Sequence, residues 1–191
     1  MAAKQDTRIR VLALGAHPDD IEAGCGGTLI KYALNGHRIF QMVMTSGEQG
    51  GRGSVRRREQ QRASRHLHVE KAFWGNYRDT EVPTGQGLIQ KIERVVKAVN
   101  PHFIFVHYHD DTHQDHRNLA VGTITATRYT RNVLFYEGPT TQNFSPTVFV
   151  DIDSVLQKKI SALKAHQSQV MKTNIEGLTI VDIVRSSAHF R

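Results

Sequence analysis

Residues 8–20 read RIRVLALGAHPDD, and this stretch decides the expected fold. An apolar run of the length of one strand is followed at once by His17, Pro18, Asp19 and Asp20. Pro18 fixes its own backbone angle φ and disfavours the helical region for His17. The stretch therefore predicts a buried strand that ends at His17, a helix that begins just behind it, and polar side chains at the junction.

The rest of the chain alternates in the same way between short apolar runs and segments with helical spacing. Strands are expected at residues 8–16, 38–45, 71–75, 102–107, 133–136 and 148–152. Helices are expected at residues 20–35, 54–67, 86–99, 116–128 and 154–170. This alternation predicts an α/β fold, a Rossmann-like doubly wound, mostly parallel sheet with helices on both faces and a strand order like 3-2-1-4-5. No linker or repeat interrupts it, so one domain over residues 1–191 is expected.

Composition narrows the class of protein. The chain has 191 residues, of which 39% are hydrophobic and 23% charged, as in ordinary globular domains. No apolar run approaches the roughly 20 residues of a membrane helix, and the first residues, MAAKQDTR, contain no apolar core of a signal peptide. The single cysteine, Cys25, excludes an internal disulfide and a cysteine-based zinc site, and it fits a reducing cytoplasm.

The net charge of +7 is concentrated in arginines that lie close together in the chain, at positions 52, 56, 57, 58, 62 and 65. Such a cluster attracts anionic partners. The sequence has no zinc-finger spacing and no aromatic-rich basic strand, so nucleic-acid binding is not expected as the main role. An anionic small molecule is the expected partner of this charge.

A second polar cluster follows the strand expected at residues 102–107. Residues 107–116 read HYHDDTHQDH, and imidazole and carboxylate groups are the ligands of zinc and similar ions. In a doubly wound sheet the carboxyl ends of these two strands meet where the strand order reverses. The two clusters therefore predict one metal site, with Asp115 and Asp111 as candidates to orient a histidine. The alternative is structural: Asp19 or Asp20 caps a helix, and the second cluster is a solvated loop.

Three residues are candidates for binding the part of a substrate that lies away from the metal site. Residues 45–53, TSGEQGGRG, form a glycine-rich loop in which Arg52, with Arg56 on the next helix, suits a phosphate or carboxylate. The alternative is a flexible loop and a solvated basic helix start. His166 interrupts a helix that otherwise lacks histidine, and it either lines a pocket or subunit contact or lies on the surface.

These motifs, in this order, resemble the LmbE/PIG-L family of zinc-dependent N-deacetylases, also called the GlcNAc de-N-acetylase family. The motifs are AHPDD at 16–20, TSGEQGG at 45–51, Arg56 with Glu59 and Ala63, DTHQDHR at 111–117 and KISALKAHQSQ at 159–169. The pair AHPDD and HxDH is specific, and the other motifs support it. The resemblance covers nearly the whole chain and implies a Rossmann-like α/β fold.

The resemblance implies that His17, Asp20 and His116 bind Zn²⁺, or another divalent metal such as Fe²⁺. Asp19 would act as the general base, and His113 would stabilise the oxyanion or donate a proton. The implied substrate is an N-acetylglucosaminyl compound, and the implied assembly is a homo-oligomer, either a trimer or a hexamer. Family members usually continue past the point that matches residues 188–191, so a missing carboxyl-terminal tail is expected. Two alternatives remain: an amidase for another amide such as a thiol conjugate, and a non-catalytic sugar- or nucleotide-binding domain.

Overall fold

A five-stranded, all-parallel sheet forms the centre of the computed structural model, which describes residues 7–173 and 175–191. The strands run in the order β3-β2-β1-β4-β5, so the direction of winding reverses between β1 and β4. The predicted doubly wound α/β fold is confirmed. The strands are β1 (Arg10–Gly15), β2 (Arg38–Thr45), β3 (Val69–Tyr77), β4 (Phe103–His107) and β5 (Val133–Tyr136).

Helices cover both faces of the sheet because side chains of a strand alternate between its faces. Leu12 and Leu14 of β1 pack with Leu88 on one side, whereas Val11 and Ala13 pack with a separate cluster on the other. Both faces are therefore buried, as expected for a parallel sheet. The helices are α1 (Asp20–Gly24), α2 (Gly26–Leu34), α3 (Gly53–His66), α4 (Gln86–Val99), α5 (Gln114–Ala126), α6 (Leu156–Lys164) and α7 (Ile180–Phe190).

The helix expected at residues 20–35 and the strand expected at residues 148–152 are different in the structure. The helix expected at residues 20–35 is divided at Cys25, where a glycine-rich segment favours a break. Residues 148–152 form no strand, although their composition is typical of one. Val148 and Phe149 are 60% and 62% exposed. β-branched and aromatic residues stabilise a strand chiefly by packing across neighbouring strands, so their composition alone does not create one.

The last part of the chain also departs from expectation. The helix expected at residues 154–170 begins with a 3₁₀ turn, Asp153–Val155, and α6 ends at Lys164. Residues 167–171 form turns, and the carboxylate of Glu59 accepts hydrogen bonds there from the backbone N–H and the hydroxyl of Ser168. α7 was not predicted, although Thr179 and Asp182 form a capping box at its start.

No helix among residues 7–173 and 175–191 is long and apolar enough to cross a membrane. The expectation that the amino terminus contains no signal-peptide core concerns mostly residues 1–6, which lie outside the described residues.

Truncating Leu88 in the core is expected to lower the free energy of unfolding by about 2–5 kcal/mol, because Leu88→Ala leaves a cavity. Leu88 of α4 is 0% exposed and packs against Leu12 and Leu14 of β1 and against Gly122 of α5. Urea denaturation measures the change. The matched control is Leu34→Ala at a residue that is 52% exposed, where a change within about 0.5 kcal/mol is expected. Equal losses for the two variants would contradict this account of the core.

Candidate active site

The two polar clusters meet at the carboxyl edge of the sheet, beyond the point where the strand order reverses. A cleft of about 280 Å³ opens there. Ligands of open α/β sheets bind at this kind of position. Six of the residues that line the cleft were singled out from the sequence: His17, Asp19, Asp20, Arg56, His113 and His116. The other four are Gln49, Gly50, Asp79 and Thr80.

Three donor atoms in this cleft form a nearly regular triangle. His17 Nδ1 lies 3.3 Å from His116 Nε2, and Asp20 Oδ2 lies 3.4 Å from each of these two nitrogens. Zinc bonds of about 2.0–2.1 Å in tetrahedral geometry place neighbouring ligand atoms about 3.3–3.4 Å apart. The spacing of His17, Asp20 and His116 therefore suits a tetrahedral ion with an open fourth position.

Other combinations of donors are also close in the part of the chain that the structure describes. His17, His113 and His116 form one group within 4.8 Å, and Asp20, His107 and His116 form another. His107 Nε2 accepts the backbone N–H of Ala16 at 3.3 Å, which occupies its lone pair. The Nδ1 of His113 accepts a backbone N–H as well. The nitrogens of His17 and His116 that face Asp20 accept no backbone N–H, so the triangle is the better ion site.

The electrostatics of the cleft favour positive charge. Burial alone lowers the pKa of His116, but the carboxylates of Asp20 and Asp111 outweigh it and raise that pKa to about 9. Burial likewise opposes a charge on His17, and Asp115, Asp20 and Asp79 nevertheless hold its pKa well above the usual range. Carboxylates that stabilise imidazolium stabilise a bound cation by the same attraction.

Asp19 is held in an unusual backbone conformation. Its φ is 98°, in the left-handed region that residues other than glycine rarely adopt. Gln60 Oε1 accepts its N–H at 3.2 Å, and Arg56 donates to Asp19 Oδ2 at 3.1 Å and to Pro18 O at 2.7 Å. Two residues on neighbouring turns of α3 thus hold the Asp19 carboxylate at the cleft. Such strain is typical of functional sites.

Two opposing effects act on the pKa of Asp19: burial and the neighbouring positive charges. Burial raises the pKa of Asp19 to about 6, and the positive charges of Arg56 and His166 oppose that rise. Asp19 belongs to none of the donor groups described above. Its carboxylate therefore lies beside the candidate ion site and outside the triangle.

His113 has only one proton to offer in this arrangement. It caps the start of α5, and its Nδ1 accepts the N–H of Asp115 at 3.2 Å. A ring that accepts at Nδ1 and is neutral carries its proton on Nε2. Burial, together with the charges of His17 and His116, lowers the pKa of His113, so the neutral form is favoured. The ring can donate one hydrogen bond into the cleft.

The two aspartates expected to orient histidines lie beside them. Asp111 Oδ2 is 3.2 Å from His116 Nδ1, and Asp111 Oδ1 accepts the N–H of His113. Asp115 Oδ2 is 3.2 Å from His17 Nε2, but Asp115 also accepts the backbone N–H groups of Thr80 and Val82. Asp115 thus organises the loop after β3 as well as facing His17.

The expected substrate-binding residues lie in three different environments. Arg52 is exposed at the start of α3 and is not among the residues that line the cleft. Arg56 lines the cleft, but it is 5% exposed and donates to Gly47 O, Pro18 O and Asp19. His166 is 1% exposed, with Nε2 3.6 Å from Glu22 Oε2, and it lies outside the cleft lining.

Two important residues were missed in the sequence: Gln60 and Asp79. Gln60 supports Asp19 and donates to Glu22 at 2.7 Å. Asp79 is 4% exposed, and its Oδ1 lies 2.9 Å from His17 Nε2. A signal for Asp79 existed, because it follows β3 and the carboxyl ends of neighbouring strands share one edge. Gln60 lies within the polar surface pattern of α3, where no local signal distinguishes it.

Solved structures share this fold. N,N′-diacetylchitobiose deacetylase from Pyrococcus horikoshii superposes with a TM-score of 0.85 at 24% identity, over 96% of this chain and 78% of that one. The 4-carboxy-2-hydroxymuconate hydratase GalB from Pseudomonas putida KT2440 has a TM-score of 0.75 at 19% identity, over 94% of this chain and 84% of that one. At these identities the likeness concerns the fold alone, and one fold carries different reactions.

Relatives in sequence are more informative about family. The protein named uncharacterized deacetylase YaiS, from Escherichia coli K12, is 34% identical over 177 residues, 88% of this chain and 96% of the relative. Diacetylchitobiose deacetylase from Thermococcus kodakarensis is 26% identical over 84% of this chain and 70% of that protein. The GlcNAc-PI de-N-acetylase family (PIG-L) matches residues 12–127, which contain both polar clusters. The chain belongs to the GlcNAc-PI de-N-acetylase (PIG-L) family.

Proposed function

We propose that the protein is a metal-dependent hydrolase that removes the N-acetyl group from an N-acetylglucosaminyl compound. The observation that carries this proposal is the triangle of His17, Asp20 and His116 donor atoms, 3.3–3.4 Å apart, in a cleft that also holds Asp19. Membership of the family and the names of its deacetylase relatives support the choice of reaction and substrate class.

The donor set supports zinc as the metal. Two imidazole nitrogens and one carboxylate oxygen are typical zinc ligands, and they leave a fourth position open. Iron(II) is the alternative, because the same ligand types suit it. A divalent ion held there would polarise the amide carbonyl and lower the pKa of a bound water.

Asp19 is the proposed general base. Arg56 donates to Oδ2 of its carboxylate, which holds the group in place and leaves Oδ1 free to accept a proton from the attacking water. The left-handed backbone at Asp19 keeps this carboxylate at the cleft. Positioned proton transfer of this kind contributes about 10²–10⁴-fold to rate.

His113 is proposed to stabilise the oxyanion that develops on the acetyl group. The neutral ring donates one hydrogen bond from Nε2, since its Nδ1 is occupied by the N–H of Asp115. The neutral His113 ring uses its single proton in this hydrogen bond, so it does not transfer a proton to the leaving amine. Asp19, protonated in the first step, is therefore the proposed donor of that proton. The products are acetate and a free amine.

Recognition of the rest of the substrate stays a prediction. Arg56 is occupied by Asp19 and by two loop carbonyls, so Arg52, which is exposed at the start of α3, is the proposed contact for an anionic group. His166, which is buried behind the site, would act on substrate through Asp19 and not by contact. A single domain over residues 1–191, a homo-oligomeric assembly and a cytoplasmic location are predictions too.

Amine release from a panel of N-acetylglucosaminyl compounds tests the proposed function. We expect release that stops when a chelator removes the ion and returns when zinc is added, because the three donors alone cannot activate water. Iron(II) added back without oxygen compares the two metals. Release that persists in chelator would contradict metal dependence. Release only from other amides, such as thiol conjugates, would indicate an amidase, and zinc-independent sugar binding without release would indicate a binding domain.

A further inference from the structure

Asp79 contacts the side of His17 that faces away from the candidate ion site. The imidazole of His17 points Nδ1 toward Asp20 and His116, and its Nε2 lies 2.9 Å from Asp79 Oδ1. Asp79 follows β3, whereas His17 follows β1, so the contact joins two loops of the sheet edge. The two carboxylates that His17 meets at Nε2 are those of Asp79 and Asp115.

The loops on either side hold the Asp79 carboxylate in a fixed orientation. Its Oδ2 accepts the backbone N–H of Gln49 at 2.9 Å, and its own backbone N–H donates to Glu48 Oε1 at 2.9 Å. These reciprocal bonds join the loop after β2 to the loop after β3. With Oδ2 occupied, Asp79 has Oδ1 free for His17, and the carboxylate is 4% exposed, so water competes little.

Asp115 differs from Asp79 in its other hydrogen-bond partners. Its Oδ2 lies 3.2 Å from His17 Nε2 and also accepts the N–H of Thr80 at 2.8 Å, while its Oδ1 accepts the N–H of Val82 at 3.1 Å. Both of its oxygens are thus committed to the backbone of the loop after β3. The shorter contact, from an oxygen with no backbone partner, is that of Asp79.

We propose that Asp79 is a positioning residue, whose carboxylate keeps the proton of His17 on Nε2 so that Nδ1 presents its lone pair to the metal ion. This rests on the proposed function insofar as His17 is a ligand. A neutral imidazole has one proton, and the group that accepts it decides which nitrogen remains free. Partners that orient ligating histidines typically change metal affinity by about 10–100-fold.

Asp79→Asn tests the proposal with nearly no change in volume. The amide has one acceptor, so if its oxygen keeps the N–H of Gln49, its NH₂ donates to His17 Nε2 and moves the ring proton to Nδ1. We expect the zinc dissociation constant to rise about 10–100-fold, with activity recovering at saturating zinc. Asp110→Asn is the matched control, since Asp110 pairs with Asn143 on the same edge and not with a histidine.

A second readout does not depend on activity or metal. Nitrogen-15 NMR of the full chain, freed of metal and recorded at a pH where the ring carries one proton, reports the protonated nitrogen of His17. We expect Nε2–H in the wild type and in Asp110→Asn, and Nδ1–H in Asp79→Asn. Asp115→Asn is expected to lower the melting temperature, because one of its two backbone hydrogen bonds loses its acceptor.

The outcomes separate this proposal from the proposed function. An unchanged tautomer and an unchanged zinc affinity in Asp79→Asn would overturn the positioning role. If KM were also raised, Asp79 would instead be a residue that contacts the substrate. If the wild-type chain binds neither zinc nor iron(II), the proposed function fails, and the tautomer comparison still decides whether Asp79 controls the proton of His17.

Discussion

Asp19→Asn is expected to keep the bound metal and to lose about 10²–10⁴-fold in kcat, the contribution of a positioned general base. An amide cannot accept the proton of the attacking water. The substitution preserves the rest of the site, because asparagine tolerates the left-handed backbone at φ 98° and its oxygen can still accept from Arg56. The loss should therefore fall on chemistry and not on folding.

The measurement pairs kcat for the best substrate of the panel with the zinc content of the same sample. Asp110→Asn, the same chemical change at an exposed hydrogen bond on this edge, should leave both values unchanged. Normal turnover in Asp19→Asn would exclude Asp19 as the base. Loss of zinc together with turnover would instead make Asp19 a part of the ion site.

His116→Ala is expected to lose bound metal and activity together. The substitution removes one corner of the donor triangle, together with the ring that stacks on His107 at a centroid distance of 3.8 Å. The loss of zinc affinity should exceed the roughly 10–100-fold that follows loss of an orienting partner, because a ligand itself is removed. Zinc titration monitored by a competing chelator measures it.

The matched control for this variant is His109→Ala, which removes an exposed histidine from the same segment of chain. Its zinc affinity and kcat should equal those of the wild type. Undiminished zinc binding by His116→Ala would refute the triangle and would favour the group of His17, Asp79 and Asp115, which does not include His116. Circular dichroism of both variants shows whether the fold is retained.

The two variants are expected to differ in whether they retain the bound metal ion. Asp19→Asn separates the proton acceptor from the ion, whereas His116→Ala removes the ion and with it the need for an acceptor. A deacetylase built as proposed gives a zinc-loaded, slow protein in the first case and a zinc-poor one in the second. A non-catalytic binding domain would show no difference in turnover between either variant and the wild type.

Much of the fold and of the candidate site was predictable from the sequence, because the signals are local. The apolar runs of β1, β2, β4 and β5 and the helical spacing of α4 depend on neighbouring residues, and they predicted a parallel sheet. The residues of each polar cluster lie within one short segment that follows a strand. Topology rules then placed the carboxyl ends of β1 and β4 side by side without any coordinates.

Only the tertiary structure decided which partner each side chain has. Arg56 looked free to bind an anion, but the folded chain brings it to Pro18 and Asp19, 38 and 37 positions away. The contact of His17 with Asp79 likewise joins loops that follow different strands. A hydrogen bond between distant residues leaves no periodic trace in the sequence, since it depends on where whole elements pack.

The same reason explains the elements that were predicted wrongly. Residues 148–152 have the composition of a strand, but a strand needs a neighbour to bond to, and the fold places none beside them. Just beyond the end of α6, Ser168 donates a hydrogen bond to Glu59, which lies 109 positions away in the chain. The sequence alone therefore determined the layered α/β architecture and the chemistry of its two clusters, because both are set within short segments. Packing decided the ends of the elements and the orientation of the side chains in the cleft, because those depend on contacts between residues far apart in the chain.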